Sequence, residues 1–544
     1  MKRSTLLISL LFLTGAAFAQ PKKTTLERPK LVVGIVVDQM RYDYLYRFYD
    51  KYSEGGFKRL MREGFNARNN HYHYAATYTG PGHAHIYNGS APALSGIVGN
   101  DWYDRKANRL VYCTEDTTVQ TVGNTGSAGK MSPRNMRVSN LGDQLKIATQ
   151  GRSKVIGIAL KDRGAILPAG HAANAAYWFD SKDGNWISST FYMNDLPAWV
   201  KALNARRLPD QYNAQQWTPL LPLNQYAEST ADDVAFEGTL QGEPKAVFPH
   251  TFAAAMGLKY EELRTSPFGD QLTKEMALAA LKGENLGKNA QTDMLCVSFS
   301  STDYIGHRFG SESVEVEDEY LRLDRVMAEL LNAFDAQVGK GNYLVFLSAD
   351  HGAAHTPGYL QSLHIPAGTR EYNEVSDAVK RAMEVSFGAG DWLKRYQNQQ
   401  LYLNTDLLVQ KKVSMEMAFA AIRAELLKTP GIVNVYNLHN VAAMAMPENV
   451  RYQLNNVFDP NRCGDFYILF NPNYIEGFRK GGTTHGTTYN YDTHVPFLLY
   501  GWGVKPGETT RRTYIHDIAP TVTALLHLIE PNGNIGNPVQ EALR

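Results

Sequence analysis

Three aspartates and three histidines have side chains suited to binding divalent metals, and most of them directly follow a short apolar run. They are Asp38, Asp303, His307, Asp350, His351 and His485. Carboxylates and neutral imidazoles are good zinc ligands, and a set without thiolates is typical of a catalytic site rather than a structural one. A lone Asp-His pair after a strand is more often a loop cap. The six residues together predict a site for two divalent metal ions.

A threonine before a glycine-rich turn gives a second chemical signal. Thr79 precedes Gly80, Pro81 and Gly82, and the stretch that follows predicts a helix. Proline is preorganised for the first turn of a helix, and the positive end of a helix favours an anion. A threonine hydroxyl is a poor nucleophile unless a base or a metal activates it. Thr79 is therefore either a simple helix cap or a nucleophile that a metal activates.

Two cations follow another apolar run, with Asp162 between them. If the chain is still extended there, Lys161 and Arg163 point to the same side and Asp162 points to the other. A guanidinium can bind two phosphoryl oxygens, and an ammonium supplies a point charge. The pair predicts an anion clamp, with a solvated turn as the alternative.

The elements that must position these side chains predict an α/β fold. Apolar runs at 31–37, 154–160, 294–299, 343–347 and 496–500 are typical of buried strands. Helical spacing over 316–338 and from Asp517 onwards supplies helices between them. We expect a mostly parallel central sheet sandwiched between helices. Ligands bind at the carboxyl ends of such strands, where the candidate residues fall.

The chain divides into a leader and one catalytic domain. Residues 1–19 have a positive start, an apolar run and an Ala-Phe-Ala cleavage site, which predict a signal peptide and a periplasmic or secreted protein. Residues 20–544 are predicted to form the catalytic domain. The stretches at about 178–290 and 359–482 break the strand-and-helix rhythm, and we interpret them as insertions that shape the substrate entrance.

Composition excludes several classes of partner. The formal net charge is +1 and no basic block occurs, which argues against nucleic acid. No apolar run suits a stable membrane span, and a monomer is the working expectation. Cys113, Cys296 and Cys463 lack metal-binding spacing, and whether any two form a disulfide stays open.

Several segments carry a family resemblance, and they occur in the family's order. They are Asp38, 79–83 (TGPGH), 96–104 (GIVGNDWYD), 301–307 (STDYIGH), 349–352 (ADHG) and 484–486 (THG). Together they resemble the alkaline phosphatase superfamily, and within it the phosphate-irrepressible, PafA-type alkaline phosphatases. The resemblance runs from about residue 31 to residue 528.

The resemblance implies a role for each matched residue. One zinc ion would be held by Asp303, His307 and His485. The other would be held by Asp38, Asp350 and His351, with Thr79 as its reactive ligand. Asn100, Lys161 and Arg163 would contact phosphoryl oxygens. The implied reaction is hydrolysis of small phosphate monoesters through a phospho-Thr79 intermediate, with release of inorganic phosphate.

Three rival interpretations remain. A nucleotide pyrophosphatase/phosphodiesterase shares the two-zinc core and the threonine, but a diester has less need of two extra cations. A sulfatase requires a cysteine or serine followed by x-Pro-x-Arg, which Thr79 and its neighbours do not match. A non-catalytic phosphate-binding envelope protein would not need an intact nucleophile with six ligand candidates.

Overall fold

The computed structural model describes residues 27–254, 257–477 and 481–544. The predicted signal peptide lies outside these residues. Their strands are β1 Leu31–Val37, β2 Phe65–Ala67, β3 Asn70–His71, β4 Asp101–Asp104, β5 Arg109–Tyr112, β6 Thr121–Val122, β7 Val155–Ala159, β8 Ala175–Asp180, β9 Asn185–Ser189, β10 Asp293–Phe299, β11 Tyr343–Ser348, β12 Gly368–Arg370, β13 Leu393–Gln397, β14 Gln400–Leu403, β15 Ile432–Asn437, β16 Phe466–Phe470, β17 Tyr474–Glu476, β18 Phe497–Gly501, β19 Gly507–Thr509 and β20 Thr513–Tyr514.

The α-helices alternate with these strands over much of the chain. They are α1 Tyr44–Arg47, α2 Phe57–Glu63, α3 Thr79–Asn88, α4 Pro92–Ser95, α5 Leu141–Ala148, α6 Asp162–Ala169, α7 Ala198–Ala205, α8 Leu208–Asn213, α9 Pro267–Gly283, α10 Ser301–Phe309, α11 Val314–Val338, α12 Pro357–Ser362, α13 Tyr372–Phe387, α14 Thr405–Lys411, α15 Met415–Leu426, α16 Glu448–Val457, α17 Asn490–Thr493 and α18 Ile518–Leu526.

The central sheet has the order β19-β2-β18-β11-β1-β10-β7-β8-β9-β6. The pairs at its centre, β11–β1, β1–β10, β10–β7 and β7–β8, are all parallel. β18 and β9 join antiparallel. Strand β1 is buried along its whole length and has hydrogen-bonded neighbours on both sides. The predicted α/β fold with a mostly parallel sheet is confirmed.

The parallel pairs align the ends of β1, β10, β11 and β7 at one edge of the sheet. The chain turns there into the segments that carry Asp38, Asp303, Asp350 and Lys161. A buried sheet fixes these turns rigidly, so side chains far apart in sequence meet in one place.

A second, four-stranded sheet of order β13-β14-β16-β15 lies within residues 359–482. It has a core of its own, packed against α13 and α15. In the other predicted insertion, 178–290, strands β8 and β9 continue the central sheet, so that region shares strands with the core. The boundaries of both insertions stay predictions.

The cysteines and the helices bear on the predictions made from composition. Cys113, Cys296 and Cys463 are buried free thiols. Over residues 27–254, 257–477 and 481–544, no helix has the length and apolar character needed to cross a membrane.

The segment after β7 is not extended, because α6 begins at Asp162. The premise for placing Lys161 and Arg163 on one side of a strand was therefore wrong.

Candidate active site

Two overlapping groups of buried acceptors form at the carboxyl edge of the sheet. One contains Asp38, Asp350 and His351, and the other contains Asp303, His351 and His485. Within each group, one ligand atom of every residue lies within 4.8 Å of the others. His307 lies beside Asp303, with Nε2 3.1 Å from Oδ1. The structure thus brings all six predicted ligands together.

Buried acceptor atoms in this cluster face one another without a donor between them. Nε2 of His351 lies 3.5 Å from Oδ1 of Asp38 and 3.4 Å from Oδ2 of Asp350. None of these three atoms has a hydrogen-bond partner. Leaving a buried polar atom unpartnered costs about 1–3 kcal/mol, and more when it is charged. A cation placed among them would satisfy all three, so the residues fit a divalent metal.

The pKa shifts of the carboxyls reflect the same crowding. Burial, followed by repulsion from Asp303 and Asp350, raises the pKa of Asp38 well above its ordinary value. Burial raises the pKa of Asp350 to about 7. Burial alone would raise the pKa of Asp303, but His307 and Lys161 lower it well below the ordinary value. Two of the three carboxyls therefore lack sufficient compensating positive charge.

Backbone carbonyls orient the imidazoles. Nδ1 of His351 lies 2.9 Å from the carbonyl of Gly352, and Nδ1 of His485 lies 2.6 Å from the carbonyl of Thr77. Nδ1 must carry the proton to donate in each pair, which leaves the Nε2 lone pair facing the carboxylates. Burial lowers the pKa of His485 to about 3, so the ring is neutral as a metal ligand requires.

Gln39 connects the two acceptor groups, and the sequence argument missed it. Its backbone N–H donates to Oδ1 of Asp350 at 3.0 Å, and its side-chain amide donates to Oδ1 of Asp303 at 2.6 Å. Gln39 has φ 63°, a left-handed conformation that non-glycine residues adopt only at a cost. Its position directly after Asp38 was the available signal.

Thr79 is the first residue of α3, with Tyr78 as the N-cap. The predicted helix start is thus confirmed, and Thr79 is only 2% exposed. Gly82 lets this helix pack directly on the strand-end turn, because a Cβ there would lie 2.2 Å from the carbonyl oxygen of Asp350. Backbone packing thus holds the first turn of α3, which carries Thr79, against Asp350.

His83 supports both Thr79 and Asp350 from inside the protein. Its Nδ1 lies 2.9 Å from the Thr79 carbonyl and 3.3 Å from Oδ2 of Asp350, and its Nε2 lies 2.7 Å from the Ser298 hydroxyl. Burial lowers the pKa of His83 to about 4. This buried, neutral ring thus links the Thr79 backbone to Ser298 and packs beside Asp350.

The two predicted cations reach the site by different routes. Nζ of Lys161 lies 2.7 Å from Asp38 and 2.6 Å from Asp303, bridging the two acceptor groups. Nη2 of Arg163 lies 3.4 Å from the Thr79 hydroxyl. Lys161 is the N-cap of α6 and Arg163 lies in its first turn. Both cations therefore face the site even though the strand geometry used to predict this was wrong.

Tyr112 and Asp162 orient Arg163. The Tyr112 hydroxyl donates to Oδ1 of Asp162 at 2.5 Å and accepts from Nη1 of Arg163 at 3.0 Å. Asp162 would point away from the two cations only if the chain were extended here, and this condition does not hold, because the helical turn brings Asp162 beside Tyr112. Tyr112 was missed because no strand-end pattern marks it.

Asn100 directly precedes β4 and is held by α3. The backbone N–H of Gly80 donates to its Oδ1 at 2.7 Å. Since Oδ1 is thus the accepting atom, the amide nitrogen remains available as a donor. Hairpin β4–β5 pairs Asp101 with Tyr112, so one small hairpin carries both Asn100 and the tyrosine that holds Arg163.

Gly352 allows two backbone segments to pack closely, although its φ is not positive. A Cβ there would lie 2.1 Å from the Tyr491 carbonyl oxygen, so the requirement is a close approach between two backbone segments.

This combination of α/β fold, acceptor cluster and buried threonine matches a known family. A profile of the type I phosphodiesterase / nucleotide pyrophosphatase family matches residues 32–494. The chain belongs to this family.

Full-length relatives narrow the comparison. The chain is 44% identical to alkaline phosphatase PafA of Elizabethkingia meningoseptica, over 99% of this chain and 98% of PafA. It is 46% identical, over 97% of each chain, to a Myroides odoratus protein named calcium-transporting ATPase. The crystal structure of PafA superposes with a TM-score of 0.92, at 44% identity, covering 96% of this chain and all of that one. A PafA variant with one threonine, one asparagine, one lysine and one arginine substituted gives 0.91, at 43% identity and the same coverage. The predicted PafA-type resemblance is confirmed.

Proposed function

We propose that this protein is an alkaline phosphatase that hydrolyses phosphate monoesters through a covalent phosphoryl group on Thr79. The observation that carries the proposal is the set of unpartnered, mutually facing acceptors beside the first turn of α3, which carries Thr79. Full-length similarity to PafA supports it.

Two zinc ions are the proposed cofactors. Asp303, His307 and His485 would hold one. Asp38, Asp350, His351 and Thr79 would hold the other. When bound, such ions lower the pKa of a hydroxyl or a water and stabilise a leaving oxygen.

The side chains then have separate roles in the two steps of phosphoryl transfer. The Thr79 hydroxyl loses its proton as its oxygen bonds to phosphorus. The bond to the ester oxygen breaks, and the leaving group takes up a proton and departs as the alcohol. The positive end of the α3 dipole favours the negative charge on the phosphoryl group. A water molecule subsequently takes the phosphoryl group from Thr79, which regenerates the hydroxyl and releases inorganic phosphate.

Asn100, Lys161 and Arg163 are the proposed contacts for the phosphoryl oxygens. Arg163 already lies near the Thr79 hydroxyl, and the amide nitrogen of Asn100 is available as a donor. The substituted PafA variant changes the same four residue types, threonine, asparagine, lysine and arginine, which agrees with these assignments. Phosphoryl transfer depends mainly on positioning and charge stabilisation, and these donors supply both.

The family name also covers phosphodiesterases, and the donor set separates the two activities. A monoester presents three non-bridging oxygens, whereas one of them carries a second organic group in a diester. Lys161 and Arg163 provide more positive charge than a diester requires. We therefore assign the monoester as the main substrate. Export to the periplasm or the medium, directed by residues 1–19, completes the proposal.

Metal content and substrate class test the proposal together. The purified protein should contain about two zinc ions per chain, as a two-metal site requires. A chelator should abolish hydrolysis of an aryl phosphate, and added zinc should restore it. A matched panel of an aryl monoester, diester and sulfate ester should show the monoester as the fastest substrate. Full activity without a bound transition metal would overturn the cofactor assignment, and a faster diester would overturn the substrate assignment.

A further inference from the structure

A cleft of about 640 Å³ opens directly beside the acceptor cluster. Tyr78, Thr484 and His485 form its inner end. Helix α13 and strands β13 and β17 form its outer walls, so it lies between the core and the second sheet. Its size matches the 300–1,000 Å³ range of small-molecule sites. An ester bound with its phosphoryl group at Thr79 can place its leaving group here.

The outer wall is fixed to the phosphate-binding side of the site. The β13–β14 hairpin turns at Asn398 and Gln399, both with positive φ, as a two-residue hairpin loop requires. The Asn398 amide donates to the Asp101 carbonyl at 2.7 Å, next to Asn100. A Cβ on Gly99 would lie 2.3 Å from that amide nitrogen, so the close approach requires glycine. The cleft is therefore preorganised relative to the phosphoryl position.

Charge on the outer wall is predominantly positive. Lys380, Lys394 and Arg395 line the cleft, and Lys394 is paired with Asp391 at 2.7 Å. No salt bridge engages Lys380 or Arg395 within the described parts of the chain. A bulge in β13 between Leu393 and Arg395 interrupts the regular alternation of side chains there, a common means of redirecting them beside an active site.

The acidic residues of the cleft offset only part of this charge. Asp377 lies on the same helix as Lys380, without an ion pair to it. Glu476 accepts a hydrogen bond from Tyr396 at 2.5 Å, and burial raises the pKa of its carboxyl to about 7, so that it is partly neutral near pH 7. Among the residues that line the cleft, Asp377 and this partly neutral Glu476 thus oppose three cations.

We propose that this cleft is a leaving-group subsite that selects phosphate monoesters whose leaving group is ring-sized and carries a negative charge. The inference rests on the proposed phosphatase function. Lys380 and Arg395 would attract the charge, while the tyrosines of the cleft, among them Tyr78 and Tyr396, would pack against the ring. Nucleotides that carry a second phosphate group belong to this chemical class.

Two aryl phosphates of matched leaving-group pKa test the inference, one with a neutral ring and one with a carboxylate on the ring. Exposed ion pairs are weak, so the wild type should prefer the carboxylated ester by only about fivefold in kcat/KM. Lys380→Ala and Arg395→Ala should each reduce this ratio by about twofold, and the double variant should abolish it. High salt should also abolish the preference, because it screens exposed charges.

Lys411→Ala is the matched control, since it removes an exposed lysine of the same region that does not line the cleft. Its ratio should equal that of the wild type. Equal kcat/KM for the two esters in the wild type would overturn the subsite while leaving the phosphatase function intact. A ratio that survives the double variant would also overturn it. Failure to hydrolyse either ester would refute the proposed function itself.

Discussion

The acceptors and the donors of this site are built in different ways. The acceptors Asp38, Asp303 and Asp350 each follow a buried parallel strand closely, and the sheet register fixes their positions. The donors Asn100 and Arg163 come from a hairpin and from a helix start, and side-chain hydrogen bonds fix their orientation. Acceptor geometry thus depends on the fold, whereas donor geometry depends on a few local contacts. Substitutions should affect the two sets differently.

Thr79 belongs to neither set. Among substitutions that leave the metals bound, the removal of its hydroxyl should cause the largest loss of activity. Thr79→Ala should lower kcat by on the order of 10⁴-fold, because the nucleophile is lost. The protein should still bind its metals, since the aspartates and histidines remain. Kinetic assays together with metal analysis of the same sample check this.

Thr79→Ser is the matched control, and it should keep substantial activity because the hydroxyl remains. Acid quenching of the wild type during turnover should trap phosphate on Thr79. Wild-type turnover in Thr79→Ala would exclude covalent catalysis at this residue. Loss of metal in Thr79→Ala would show that metal binding depends on Thr79 as well as on the acceptors, so that the two could not be treated separately.

Loss of one donor should cost less and should depend on the substrate. Arg163→Ala and Lys161→Ala should each lower monoester kcat/KM by about a hundredfold, the usual cost of losing one preorganised contact to transition-state charge. Diester hydrolysis should fall much less. The measurement is kcat/KM for one aryl monoester and one aryl diester.

Lys161 makes this experiment more informative because it also bridges Asp38 and Asp303. Metal content of both variants separates the two roles. If Lys161→Ala loses metal and slows both substrates equally, Lys161 belongs functionally to the acceptors. Equal losses on both substrates in Arg163→Ala would show that Arg163 does not distinguish a monoester from a diester.

The smallest effect is expected at Tyr112, which acts on Arg163 rather than on substrate. Tyr112→Phe removes the hydroxyl that accepts from Arg163, and should lower monoester kcat/KM by about tenfold, the equivalent of one hydrogen bond to a charged group. In an Arg163→Ala background the same change should have almost no effect, because the two residues act as one unit. A full tenfold loss in that background would assign Tyr112 a role independent of Arg163.

Asp162→Ala is the companion variant, because Asp162 accepts from the Tyr112 hydroxyl. We expect it to resemble Tyr112→Phe, in contrast to the small effect that an outward-facing carboxylate would have. Activity equal to the wild type would show that Arg163 is held without this pair.

The sequence predicted the structure best where the burial of side chains and the spacing of apolar residues determine it. The apolar run at 31–37 corresponds residue for residue to β1, and the run at 294–299 differs from β10 only at its first residue. The metal-binding candidates could be found because each follows or lies near such a run. The register of the parallel sheet is then sufficient to bring them together.

Features fixed by tertiary contacts could not be found in this way. Tyr112 has no periodic signal, because it reaches Arg163 only through the pairing of β4 with β5 and the packing of that hairpin. The helix start at Asp162 competes with an extended continuation of β7, and local pattern did not decide between them. The role of Asn100 came from family resemblance, since nothing in its local spacing indicates a phosphate donor.

The distribution of the site along the chain has a consequence for synthesis. Its side chains extend from Asp38 to His485, and the strands that align them come from both halves of the sequence. No nascent chain short of His485 contains a complete site. Domains generally fold as units during synthesis, so hydrolytic activity should emerge abruptly near the end of translation rather than build up with length. A chain that ends before His485 is therefore expected to be inactive toward phosphate esters.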